Sequence, residues 1–313
     1  GFVVAAMRTL RRLSSPSLPP QQLLTGHVAW VVGGVGPIGS GIARAFLRAG
    51  ATVLVNSRYN HRLEVLSEEL GHPEKLIPIH STMLAPGSEE TVRRAMSLTA
   101  GRLDHVVAHS SVRWWRKAGD CDETATTPLI PRGRMFELTA DEFGVYASQL
   151  PRLHFEAGRL LLPRLNSRDR TAASTYTFVT GGEPIHLEPR HGLWARVQGE
   201  SSESRTSLGH VNAQAMWGLA AAVRREMRDQ PVTVSEVRLN MRFNRPLEER
   251  LDDPRDEPLT HNLGSICAGI ASSPSKAGGL HTIDSQRDIE ALQGRFPTVE
   301  KPYGVYFRAP DLG

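Results

Sequence analysis

Residues 26–58, GHVAWVVGGVGPIGSGIARAFLRAGATVLVNSR, restrict the fold more than any other stretch of the chain. Val28 to Val32 form an unbroken apolar run, as expected of a parallel strand buried on both faces. A turn containing Gly33, Gly34, Gly36 and Gly39 follows. The next segment reads as a helix, because Ile42, Ala43, Phe46 and Leu47 recur at three- and four-residue spacing. Gly50 stops that helix, and Ala51 to Val55 supply a second apolar strand. Glycines suit the turn because its backbone must bend tightly and approach a pyrophosphate held at the helix N-terminus. Set between a predicted strand and a predicted helix, the pattern points to a dinucleotide fold.

A chain of 313 residues can hold one large α/β domain or two small ones, and no second repeat or second core is visible. Its apolar share of 40% and charged share of 22% suit a soluble globular protein and argue against wholesale disorder. No apolar run reaches the roughly 18 residues of a membrane span. Cys121 and Cys267 cannot build a disulfide framework, so a reducing compartment is the simpler reading. The net charge of +4 is unevenly spread: residues 1–63 contain no Asp or Glu but seven arginines, from Arg8 to Arg62. Arginine outnumbers lysine 33 to 4 across the chain, a bias of genome composition rather than a sign of nucleic-acid binding. MRTLRRLSSPSLPP at 7–20 has the composition of a mitochondrial presequence, which places the protein on the matrix side of mitochondria. The other reading of this segment is a solvated tail on a cytoplasmic protein.

From residue 28 to residue 70 the sequence resembles the start of a short-chain dehydrogenase/reductase, and the resemblance continues to about residue 285. NSRYNHRLEVLSEEL is similar to that family's second strand and following helix, KLIPIH at 75–80 to the third strand, and GRLDHVVAHSS at 101–111 to the fourth. Residues 137–165 resemble its long fourth helix, TYTFVTGG at 175–182 its fifth strand, and GHVNAQAMWGLAAAVRREM at 209–227 its fifth helix. VTVSEVRLN and GGLHTIDS complete the series. The resemblance implies a single Rossmann-type, doubly wound parallel sheet of about seven strands with helices on both faces. It divides the chain into an N-terminal extension (1–25), the domain (26–285, with insertions at 112–134, 182–208 and 241–276) and a C-terminal arm (286–313).

The family's first turn carries Gly-x-x-x-Gly-x-Gly. Here Gly33 and Gly39 hold the outer positions and Pro37 replaces the middle glycine, removing one N–H. Gly34, Gly36 and Ile38 are left to complete the cradle. In place of the acidic residue that would hold the ribose of NAD, the second strand ends in Asn56, Ser57 and Arg58. A guanidinium there can pair with a 2′-phosphate, so the resemblance implies NADP(H). Ala108, His109, Ser110 and Ser111 stand where the family has Asn-Asn-Ala-Gly, and Ser81 or Thr82 where it has an aspartate.

The family's reaction uses a tyrosine as general acid and a lysine four residues later that lowers its pKa. This chain has no Tyr between Tyr176 and Tyr303 and no Lys between Lys117 and Lys276. Alignment of the helix leaves either Gly209 and Ala213, or His210 and Gln214, at the two positions. His210 is the one candidate proton donor there. The supporting serine becomes Thr180 or Gly181, and the relay asparagine becomes Gln149 or Leu150. No catalytic residue of the family pattern is therefore expected, and no metal site. His105 and His109 lie four apart on a strand, a spacing that does not gather them for a metal.

The three insertions emerge at the carboxyl ends of strands and are mostly polar, which suits contact with protein or solvent rather than a substrate lid. Trp114 and Trp115, flanked by Arg113, Arg116 and Lys117, suit a partner-facing or pocket-filling role better than stacking on nucleic acid. PYGVYF at 302–307 reads as an extended apolar arm. These features together predict a non-catalytic accessory subunit of a larger mitochondrial assembly, a respiratory complex or mitoribosome, with other subunits as partners and NADP(H) as a retained ligand. The alternative is an NADP-dependent oxidoreductase with a non-standard proton donor. A homodimer through the fourth and fifth helices fits either, using Met216, Leu219, Ala220 and Val223.

Overall fold

The structure, a computed structural model, describes residues 22–109, 135–165, 174–181, 202–240 and 260–299. Its seven strands are β1 (Val28–Val32), β2 (Thr52–Ser57), β3 (Leu76–His80), β4 (His105–Ala108), β5 (Thr175–Gly181), β6 (Thr233–Leu239) and β7 (Gly279–Ile283). They form one sheet in the order β3-β2-β1-β4-β5-β6-β7. Every pairing is parallel. Pro78 sits in β3, an edge strand, where a missing ladder donor is tolerated. The helices are α1 (Pro37–Arg48), α2 (Asn60–Glu69), α3 (Ser88–Leu98), α4 (Ala140–Leu161), α5 (Ser202–Glu226), α6 (Thr260–Ser272), the short α7 (Pro274–Ala277) and α8 (Gln286–Arg295).

Alternation along the strands sorts the core into two layers. Ala29, Val31, Val53, Val55, Val107 and Val179 face α1, α2, α6 and α8. Val28, Trp30, Leu54, Val106, Tyr176 and Phe178 face α3, α4 and α5. The doubly wound architecture expected from the sequence is thus the observed one. The first helix is pressed against α6 with almost no side chain between them: a Cβ on Gly41 would meet Thr260 O at 2.8 Å, and one on Gly264 would meet Gly41 O at 2.2 Å. Burial of so many small and apolar residues on α1 and α6 is the main force holding α1 to the sheet.

Four sequence boundaries shift. Helix α5 begins at Ser202, so the end of the supposed 182–208 insertion is its first turns. The segment 241–276 is not all loop: α6 occupies its second half, and Leu263, Ile266, Cys267 and Ile270 are core residues. The arm does not start at residue 286, because α8 buries Ile289 and Leu292 and the chain beyond it buries Phe296 and Val299. Leu24 is fully buried, so the domain starts before residue 26. The alternation that marks strands says little about helices appended after the last one, which explains these errors. Met216 and Ala220 are buried against the sheet, with Leu219 and Val223 partly buried beside them. Residues 7–20, Cys121, Trp114, Trp115 and PYGVYF lie outside the described residues.

Candidate functional site

In a doubly wound sheet the ligand crevice opens where the strand order reverses, here between β1 and β4. Strand β1 leads into Gly33, which turns with φ +86°, a left-handed conformation that favours glycine. At Gly39 the constraint is space instead. A Cβ there would lie 2.3 Å from Gly33 O and 2.6 Å from Gly34 Cα, so only glycine lets α1 close onto the turn. Gly34 packs under Val55, whose methyls would be 2.8 and 2.9 Å from an added Cβ. Gly36 caps α1, and an added Cβ there meets nothing within 4 Å. The open space beside Gly36 lies at a helix start with no capping side chain and no acidic residue in the first turn. Pro37 occupies the first helical position, where its missing N–H costs the helix nothing. The N–H groups of Ile38 and Gly39 precede the first intrahelical bond, Ser40 N to Gly36 O at 2.8 Å. This turn can therefore hold an anion such as a pyrophosphate, with one donor fewer than three glycines would give.

At the end of β2, Asn56 is not free for a ligand: its Oδ1 accepts from Trp30 Nε1 at 3.0 Å in the buried core. Ser57 is buried and its hydroxyl accepts from Tyr59 N at 3.1 Å. Arg58 is exposed, its guanidinium 5.4 Å from the Tyr59 ring centroid, and Arg62 lies 5.0 Å from the same ring. Two cations are thus held by one aromatic ring just after the end of β2. The sequence reading named Arg58 and missed Arg62; the signal was the Arg-Tyr-x-x-Arg spacing at the start of α2.

The carboxyl ends of β4, β5 and β6 carry the rest. His109 follows β4, and its N–H donates to Val32 O at 3.0 Å. Burial and the neighbouring His154 push its imidazole down to about 4, against a backbone hydrogen bond with Val179 that raises it. Nδ1 of His109 and Nε2 of Gln149 are buried with no hydrogen-bond partner. Thr180 is buried on β5, and its hydroxyl donates to Glu236 Oε1 at 2.9 Å. That proton is thereby unavailable to a substrate carbonyl, which removes Thr180 from the serine's role. Glu236 itself is fully buried on β6, held by Arg238 on Oε1 at 2.9 Å and Arg224 on Oε2 at 3.0 Å. Arg238 also stacks on Trp217, 4.4 Å from its ring. Two arginines on one carboxylate fasten α5 to β6. The sequence signal was a Glu and an Arg alternating inside VTVSEVRLN, where a buried strand should be apolar.

His210 lies partly buried on α5, two residues before Asn212. Asn212 is fully buried and its Nδ2 donates to Tyr146 O at 3.2 Å and Leu208 O at 3.0 Å, linking α5 to α4. At the opposite end of the sheet His105 bonds His27 at 2.8 Å and Thr175 at 2.9 Å. His105 and His109 therefore serve different ends of one strand. Among the described residues no three His, Cys, Asp or Glu side chains gather as metal ligands, and no helix is long and apolar enough to cross a membrane.

No family profile matches the sequence. Over 128 residues the chain is 32% identical to the sorbose reductase of Candida albicans, an alignment that takes in 34% of this chain and 45% of that protein. The chain thus spans less than half the length of that curated relative. Solved structures match more completely. A short-chain dehydrogenase/reductase from Serratia marcescens superposes with a TM-score of 0.59 at 18% identity, covering 83% of this chain and 97% of the other. A short-chain dehydrogenase from Mycobacterium thermoresistibile gives 0.63 at 16% identity, covering 87% and 88%. The NADP complex of RhlG from Pseudomonas aeruginosa gives 0.60 at 16% identity, covering 87% and 100%. The fold of this chain is that of the short-chain dehydrogenases/reductases.

Proposed function

We propose that the chain is a member of this family that binds NADP(H) at the β1–α1 turn and works as an oxidoreductase with a proton carrier other than the missing tyrosine. The observation that carries the reading is the bare start of α1: glycines packed beneath it, open space beside Gly36, and Arg58 and Arg62 at the far side of the crevice. The residues present fit the dinucleotide. Gly36, Ile38 and Gly39 would hold the pyrophosphate through backbone N–H groups, and the two arginines would pair with a 2′-phosphate. When bound, the dinucleotide supplies or takes a hydride. The chain's own part is to orient it, exclude water and handle the accompanying proton. RhlG and a metagenomic oxidoreductase of the same fold were solved with NADP, and the C. albicans relative is named for reducing sorbose, so ketoses are the first substrates to try.

The absence of the Tyr/Lys pair favours a second reading, the non-catalytic accessory subunit of a mitochondrial assembly. Titration of the protein with NADPH and NADH, followed by a ketose and alcohol panel, separates the two. Selective NADPH binding with turnover supports the oxidoreductase. NADPH binding without turnover, together with co-migration of the native protein with a megadalton assembly, would establish the accessory role. No binding of either dinucleotide would sink the cofactor reading.

A further inference from the structure

We propose that His109 is the acid–base residue of the alcohol–carbonyl step, an assignment that rests on the oxidoreductase reading above. The residue stands at the switch point. Its N–H reaches β1 through Val32 O, its ring interacts with the backbone of Val179 on β5, and it ends β4 itself. One side chain is thus fixed among the three strands whose carboxyl ends frame the crevice.

Its Nδ1 is buried without a hydrogen-bond partner. Leaving a buried acceptor unpaired costs about 1–3 kcal/mol, so such an atom in a native protein calls for a partner, which a water or a ligand hydroxyl can supply. Of the other proton-bearing groups of the described core, His154 on α4 is buried beside His109 and acts on it electrostatically, and the rest are engaged or lie elsewhere. Thr180 gives its proton to Glu236, and Glu236 is neutralised by Arg224 and Arg238. His105 is bonded through both ring nitrogens at the far end of β4, and His281 through Nε2 to Ala277 O. Tyr176 also has an unpartnered hydroxyl, but it sits near the start of β5, away from the crevice, and burial pushes its pKa up. Cys267 belongs to the opposite face, its thiol pushed by burial up to about 12.

Burial leaves the His109 ring neutral at physiological pH, and the charge that bears on it is that of His154 on α4. A neutral imidazole presents an acceptor to a hydroxyl and offers no charge to a carboxylate or phosphate. The ligand at this atom is therefore a neutral alcohol, or the carbonyl it becomes. In the oxidative direction the alcohol O–H bond breaks and its proton goes to Nδ1. The electron pair left on oxygen forms the C=O bond as the carbon's hydride leaves for an oxidised nicotinamide dinucleotide. Reduction is the reverse: Nδ1 first takes a proton from water and gives it to the carbonyl oxygen as the carbon accepts the hydride.

The test uses the full chain, wild type, His109→Gln and His210→Ala. Three quantities are read: NADPH affinity by fluorescence, thermal midpoint, and turnover of a secondary-alcohol panel with NADP⁺ against pH. A fourth needs no turnover: the ¹⁵N resonance of His109 Nδ1 in the dead-end complex of NADPH with an alcohol from the panel. Expected are unchanged NADPH affinity in His109→Gln, a turnover loss of about 100-fold or more, little loss in His210→Ala, and a shifted Nδ1 resonance in the wild type. The wild-type profile should lack an acid limb near the ordinary histidine value of about 6.5. Wild-type turnover in His109→Gln, or an Nδ1 resonance that ignores the alcohol, would overturn the assignment while leaving the oxidoreductase reading intact. Failure of the wild type to bind NADPH would overturn both. If His109→Gln does not fold, the resonance in the wild type still decides.

Discussion

Two alanine substitutions three residues apart should have opposite signatures. At Gly36 an added Cβ meets nothing within 4 Å, and the residue is already in an extended conformation that alanine adopts, φ −86° and ψ 168°. The cost to folding is only that of a poorer helix cap, below about 1 kcal/mol, or a few degrees at most in the thermal midpoint of a domain this size. The methyl would, however, fill the space proposed for the pyrophosphate and hold it off the N–H groups of Ile38 and Gly39. Charge-assisted hydrogen bonds of that type contribute about 1.5–3 kcal/mol, so NADPH affinity should fall roughly tenfold to 100-fold. At Gly39 the added Cβ would sit 2.3 Å from Gly33 O, against backbone that cannot swing aside. Overpacking of that kind costs about 1–3 kcal/mol and moves the turn itself, so Gly39→Ala should lose both affinity and thermal midpoint. Differential scanning fluorimetry and NADPH fluorescence titration on the two variants provide the comparison. Wild-type NADPH affinity in Gly36→Ala would refute the placement of the pyrophosphate. An unshifted midpoint in Gly39→Ala would refute the close packing of α1 on the turn.

Replacing Arg58 by alanine should weaken NADPH roughly tenfold or more, by loss of charge-assisted pairing, while leaving NADH unchanged; Arg58→Ala/Arg62→Ala should remove the preference. A double variant that still prefers NADPH would show the two cations to be surface groups stacked on Tyr59. Glu236→Leu strands Arg224 and Arg238 in a buried site and should destabilise by about 3–5 kcal/mol, whereas Thr180→Val should cost about 1 kcal/mol; chemical denaturation measures both. Acid should unfold the protein partly through His105, whose folded value lies near 3, well below the ordinary 6.5, chiefly because burial penalises the charged ring. The unfolded chain takes up that proton and the folded one does not, so this stability is full above 6.5 and is lost as pH falls from 6.5 towards 3. His105→Gln should flatten that part of the stability curve, and an unchanged slope would count against the buried neutral ring.

The elements legible in the sequence are those whose pattern has a single physical cause. A strand buried on both faces must be apolar throughout, so VAWVV and TVLV announce themselves, and the turn between β1 and α1 needs glycine where backbone meets backbone at Gly33 and Gly39. Helix α6 was less legible because all its faces are buried and it carries many small residues, a pattern that lacks the one-sided stripe of an ordinary surface helix. Its neighbour α8 has an apolar pair, Ile289 and Leu292, too short to distinguish from an exposed arm until the sheet edge is in place. In the site, the losses were legible and the replacements were not. The absence of Tyr and Lys can be counted. The interaction of His109 with β1 and β5, by contrast, depends on strand order, which a linear spacing does not contain.

The buried polar groups of the described residues fall into a bonded and an unpartnered set. Around α5 most have been given structural partners: Asn212 Nδ2 caps two carbonyls, Thr180 and two arginines enclose Glu236, and Asn56 is held by Trp30. Thr180 and Asn56 come from positions where a ligand-binding or catalytic function was expected, and both are bonded within the protein, whereas Oδ1 of Asn212 stays without a partner. The unpartnered buried atoms fall in both places: Oδ1 of Asn212 and Nε1 of Trp217 on α5, and, near the crevice, Nδ1 of His109 after β4 and Nε2 of Gln149 on the helix following it. On the oxidoreductase reading proposed above, Nδ1 of His109, the uncapped start of α1 and the exposed Arg58 and Arg62 are the groups left for a ligand. On that reading the proton carrier is to be sought at the end of β4, away from the helix positions where the family's tyrosine and lysine would stand.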